Sequence, residues 1–139
     1  MKRLICVLLA VALLCGMTSC SGYVSSYSAI GLVRVNTQSK CEIRFMRLDG
    51  TCVFKLRNRD DGEGELRYTA SLESGEVNVY YDVNGAKELL VHLKAGESVE
   101  GCGGYFEGTG RIYVIVETVG SAAKGRISVE LCTDGEEID

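Results

Sequence analysis

The chain has 139 residues, enough for one domain, and its 46% hydrophobic content with no low-complexity tract argues against a disordered stalk. Acidic residues outnumber basic ones by 19 to 15, and a net charge of −4 argues against a nucleic-acid partner. The chain opens Met1-Lys2-Arg3, and residues 4–15, "LICVLLAVALLC", carry no charge. A basic start, about a dozen apolar residues and then small ones predict a helical secretory signal peptide. A membrane-spanning helix needs roughly 20 apolar residues, and Thr18 and Ser19 end this run too early.

The junction "MTSC", residues 17–20, resembles the lipobox of bacterial lipoproteins, where small residues precede a cysteine. The resemblance implies cleavage before Cys20 and acylation of its sulfur, palmitate being a typical chain. It also implies a domain held at the extracytoplasmic face of a bacterial cell membrane. Cys15 lacks that context, because bulky Leu14 precedes it. Loss of Lys2 and Arg3 would leave 13 basic against 19 acidic residues, a net charge of −6. Attachment would then rest on acyl chains and not on a basic footprint. The expected organisation is a signal peptide at 1–19, a lipidated cysteine and short tether at 20–28, and one domain at 29–139. The tether, "SGYVSSYS" after Cys20, reaches at most about 28 Å.

From Ala29 the chain alternates on a period of two, punctuated by glycine. Strands are expected at 30–35, 41–48, 52–58, 65–72, 76–83, 88–94, 111–119 and 126–132. No later stretch sustains helical spacing. About eight short strands predict an all-β antiparallel sandwich of jelly-roll type. Asp49-Gly50 reads as a two-residue hairpin turn setting Phe45 against Phe54 and Ile43 against Leu56. A second hairpin around Asn84-Gly85 pairs Val77 with Val91 through a three-residue loop, with Gly85 left-handed. Residues 112–116 are apolar on both faces, which marks a central strand covered on both sides.

Few residues offer chemistry. His92 is the only histidine, and an acyl-transfer triad needs it beside a nucleophile. It reads as a solvent-facing residue across from Glu76; the rival reading makes it the base of a cysteine-dependent hydrolase or transferase. Asp60, Asp61, Glu63 and Glu65 crowd one loop, where calcium at Asp60, Asp61 and Glu63 competes with a plain turn. No cofactor is expected otherwise. Six glycines between residues 95 and 110 surround Cys102, Tyr105 and Phe106. That segment reads as a long connection whose aromatics either plug the core or contact a partner. Cys41, Cys52, Cys102 and Cys132 are even in number, which leaves disulfides open in an exported domain. The hairpin register excludes a Cys41–Cys52 bridge.

The segments "LRYTASLESGEVNVYYD", "LKAGESVEG" and "RIYVIVETVGSAAKGRISVEL" resemble bacterial pre-peptidase C-terminal domains and related jelly-roll sandwiches. The resemblance covers residues 64–131, about half the chain, and supplies neither a catalytic residue nor a metal-ligand set. The expected function is a non-enzymatic, lipid-anchored binding module or an accessory subunit of an envelope complex. Its ligand or envelope-protein partner would meet it at Tyr105 and Phe106.

Overall fold

The computed structural model describes residues 23–58, 62–83, 85–107 and 110–133. The expectations for the signal segment, Cys20, Asp60 and Asp61 lie outside the described residues. Alternation of apolar and polar side chains commits nearly the whole described chain to extended structure. The strands are β1 (Ser26–Ile30), β2 (Val33–Asn36), β3 (Lys40–Asn58), β4 (Glu63–Ser74), β5 (Glu76–Asp82), β6 (Lys87–Lys94), β7 (Ser98–Glu107) and β8 (Gly110–Thr133). All pair antiparallel in one hydrogen-bonded sheet that folds over on itself as a β-sandwich.

The organising element is a long ribbon of β3 and β8. It runs from Lys40 opposite Glu130 to Asn58 opposite Gly110. One half of the ribbon carries β2 on one side and β4, then β7, on the other. The other half carries β5 and then β6, while β1 lies along the bend. Stacking the two halves puts Ile43 and Phe45 in one cluster with Phe54, Leu56, Val79, Leu93 and Val114.

The bend has a local cause. The β3–β8 register shifts between Asp49 and Thr51, and Gly50 takes a φ of +125°. A Cβ there would lie 2.3 Å from the Ser26 carbonyl oxygen, so only glycine fits under β1. Thr118 ties the two strands at this point. Its Oγ1 accepts from the Gly50 amide at 2.8 Å and donates to the Gly120 carbonyl at 2.6 Å. The buried positions of β3 switch from odd to even numbers just before the bend, where Met46 and Arg47 are both exposed between Phe45 and Leu48.

Asp49-Gly50 is therefore not a hairpin turn. The inward sets Ile43, Phe45 and Phe54, Leu56 are as expected, but each pairs with β8 instead of its mirror partner. A left-handed glycine serves a bulge as well as a turn, and the apolar pattern is the same for both. The predicted strands at 111–119 and 126–132 merge into β8 in the same way.

The β5–β6 hairpin does form, and Gly85 has a φ of +85°. Its register differs by two residues, with Val77 opposite Leu93 and Val79 opposite Val91. A slip of two keeps Val77 and Val79 on their face, but a bulge between Val79 and Tyr80 cuts the difference to one toward the turn, where Asp82 and not Tyr81 is buried. The glycine-rich segment is also corrected: it is the edge strand β7, paired with β4, and not a connection. The folded domain begins earlier than expected. Tyr23 already docks on the fold, and β1 begins at Ser26.

Candidate functional site

The outer face of the first layer is organised in rows by the strand registers. Arg44, Arg126, Ser71 and Ser98 lie side by side across β3, β8, β4 and β7. The next row is Glu42, Ser128, Thr69 and Glu100, and the next Lys40, Glu130, Arg67 and Cys102. The partners of these residues on each strand point inward to the core, which is why the polar members share one face. A groove of about 590 Å³ runs over the first two rows and Lys40.

Charge pairing shapes this groove. Arg44 and Arg126 are direct cross-strand neighbours, an arrangement that repels. Glu42 relieves it: its Oε1 accepts from Nε of Arg126 at 3.0 Å and lies 3.6 Å from Nε of Arg44. Such exposed ion pairs contribute little stability. They do hold the Glu42 carboxylate in the floor of the groove, where its side chain is only 16% exposed. Ser71, Ser98, Thr69 and Ser128 then offer hydroxyls between the carboxylates of Glu42 and Glu100. The row thus sets two hydroxyls between two carboxylates across four strands.

Tyr105 stands at the end of the same face, opposite Glu65, and its hydroxyl bonds Glu63. It is 55% exposed, whereas Phe106 is 1% exposed and packs in the core. The expected aromatic pair is thus divided, with one residue for the surface and one for the interior. Strand alternation makes that division unavoidable once the segment is a strand. The glycines of β7 have inward roles: a Cβ on Gly101 would lie 2.8 Å from the Tyr68 hydroxyl, and one on Gly104 3.0 Å from the Tyr81 ring.

All four described cysteines are free thiols. Cys41 and Cys52 are buried; burial pushes the Cys41 thiol up to about 12 and raises that of Cys52. Cys102 and Cys132 face outward with β4 between their strands, and Nη2 of Arg67 lies 3.4 Å from the Cys132 sulfur. Two strand spacings are about 10 Å, beyond the roughly 7 Å a bridge tolerates. His92 lies on the outer face of the second layer and contacts Glu76 at 2.5 Å, although its register partner is Asn78. The sandwich separates it from Cys102 and Cys132, so no thiol–imidazole pair exists among the described residues. Nor do the described residues include a group of three or more His, Cys, Asp or Glu placed to hold a metal ion.

No protein-family model matches the chain, and no curated protein matches it. Among solved structures, it is similar to a family 29 carbohydrate-binding module at 13% identity and a TM-score of 0.37, over 83% of this chain and 87% of that one. A cupin domain from Bordetella pertussis is similar at 8% identity and a TM-score of 0.30, over 76% and 97%. The Drosophila melanogaster CENP-C cupin domain follows at 13% and 0.24, over 81% and 84%. Neither ligand nor activity passes from these neighbours to this chain at such values.

The groove itself was not found from the sequence. Its rows come from β8 lying between β3 and β4, a long-range pairing that no local pattern encodes. The alternation of Glu65, Arg67, Thr69 and Ser71 did mark a polar outer face, but it reads as ordinary solvated surface.

Proposed function

We propose that this protein is a non-enzymatic binding module, anchored through Cys20 at the extracytoplasmic face of a bacterial membrane, whose outer groove takes a hydroxyl-rich ligand. The observation that carries the binding reading is the row of Glu42, Ser128, Thr69 and Glu100, two hydroxyls between two carboxylates, flanked by Lys40 and Arg126. Each hydroxyl of a polyol both donates and accepts, so such a row offers every one of them a partner. Exposed Tyr105 adds an aromatic surface at the far end of the face. The "MTSC" junction supports the anchor.

The test is affinity electrophoresis of the full chain through gels containing soluble glucans, xylans, mannans or peptidoglycan fragments. Retardation by at least one class, lost in Thr69→Ala/Glu100→Gln, is the expected result. Full mobility in every gel, or retardation that the double variant retains, would sink the groove reading. For the anchor, mass spectrometry should find an acylated Cys20, and Cys20→Ala should release the protein from membranes in high salt.

A further inference from the structure

A second cleft, of about 360 Å³, lies where the β2–β3 turn meets the far end of the ribbon, and its charge is one-sided. Asn36, Thr37, Gln38, Lys55, Arg57 and Arg111 line it. Arg57 and Arg111 are direct register partners, and Lys55 follows on the same face of β3. Like charges placed opposite each other repel. Between Arg44 and Arg126 a carboxylate resolves the same problem, but among the described residues no carboxylate pairs with Lys55, Arg57 or Arg111. The turn that forms the other wall is pinned in place. The Arg57 amide donates to the Gln38 carbonyl and the Thr37 amide to the Lys40 carbonyl, both at 2.8 Å. Three cations with no carboxylate partner among the described residues, facing a fixed wall, are built for an oxyanion.

The position of the cleft narrows the source of that anion. Tyr113 adjoins it: Nη1 of Arg111 lies 3.3 Å from the Tyr113 hydroxyl, and Nζ of Lys55 lies 6.0 Å from its ring centre. Tyr23 packs edge-on against that same ring, with centroids 5.3 Å apart. Tyr23 follows Cys20 by three residues, a span of at most about 11 Å. We infer that the cleft of Lys55, Arg57 and Arg111 binds the phosphate of an anionic phospholipid headgroup in the leaflet that holds the chain. The headgroup as source rests on the anchor proposed above; the oxyanion site does not. The acidic net charge is no obstacle, because these three cations act on an anion at contact distance.

The full chain, held in zwitterionic detergent, is titrated with short-chain phosphatidylglycerol, short-chain phosphatidylcholine and inorganic phosphate while the amide resonances of Lys55, Arg57 and Arg111 are followed. Phosphatidylglycerol should shift them saturably, and phosphatidylcholine and inorganic phosphate much more weakly. Arg57→Gln/Arg111→Gln should weaken the binding on the order of fivefold per cation removed, and Lys55→Gln gives the same reading if the double variant misfolds. Unmoved resonances, or shifts that survive these substitutions, would overturn the site. Inorganic phosphate binding as tightly as the lipid would overturn the headgroup as its source. Failure of the anchor is read separately: an unmodified Cys20 beside an intact titration discards the anchor, and with it the leaflet as the source of the headgroup, and leaves the oxyanion site standing.

Discussion

The Tyr23 hydroxyl donates to Oδ2 of Asp82 at 2.5 Å, and the Gly85 amide donates to Oδ1 of the same side chain at 2.6 Å. Asp82 is only 5% exposed, so these two bonds stand in for water. They also fix the serine-rich start of the domain on the second layer. Tyr23→Phe keeps the ring against Tyr113 but leaves the buried carboxylate one donor short, at about 1–3 kcal/mol. The thermal midpoint should fall by several degrees. An unchanged midpoint would mean that the segment is not held by this bond.

Alkaline pH should weaken the fold through four groups, one of them the Cys52 thiol that burial raises. The bond to Asp82, with some burial, raises the Tyr23 hydroxyl above its ordinary value of 10.0, and the bond to Glu88 does the same for Tyr81. Burial lifts the Cys41 thiol from 9.0 to about 12. A group raised by folding contributes its full stability below its unfolded value and loses it as pH climbs through the folded one. These contributions are therefore complete below about pH 9 and decline from there toward about pH 12. Urea midpoints measured across that window should fall, and Cys41→Val should flatten the fall. A steeper fall in the variant would contradict the assignment.

Phe106 and Tyr105 should respond in opposite ways to truncation. Phe106→Ala removes a core ring and should cost about 3–5 kcal/mol. Tyr105→Ser removes an exposed ring and one bond to Glu63, and should cost less than about 1 kcal/mol. Chemical denaturation of the two variants decides the matter. Equal losses would mean that β7 does not alternate as described.

Thiol reactivity offers an independent check on the layers. In the native protein iodoacetamide should modify exposed Cys102 first, while buried Cys41 and Cys52 stay protected until the chain unfolds. Peptide mass spectrometry reads the order directly. Early labelling of Cys52 would place the bend of β3 outside the core.

The parts of the fold legible in the sequence were those written in local alternation. Ile43 and Phe45, then Phe54 and Leu56, announced their inward faces, and the doubly apolar run around Ile115 announced a central strand, where Ile115 is 1% exposed. What local alternation cannot say is which strand lies alongside. Asp49-Gly50 supplies a left-handed glycine, which a turn and a bulge can both use. Strand β7 was hidden for another reason. Gly101 and Gly104 carry no strand signal of their own; they leave room for Tyr68 and Tyr81, so the reason for them sits on other strands. The groove and the basic cleft were invisible for the same cause. Arg126 meets Arg44, and Arg111 meets Arg57, only because β8 runs beside β3.

The shared ribbon also sets the order in which the molecule can assemble. β8 follows every other described strand and is the central one in both layers, so Lys40 must wait for Glu130 and Cys52 for Val116. Neither layer can close before β8 has been synthesised, because each lacks its middle until then. Pairings this distant in sequence are slow to form, since the cost of closing the intervening loop comes before any contact rewards it. A nascent chain of this design stays open until β8 is released. Truncation before Arg126 would remove the centre of the first layer and strand β4 and β7 from β3.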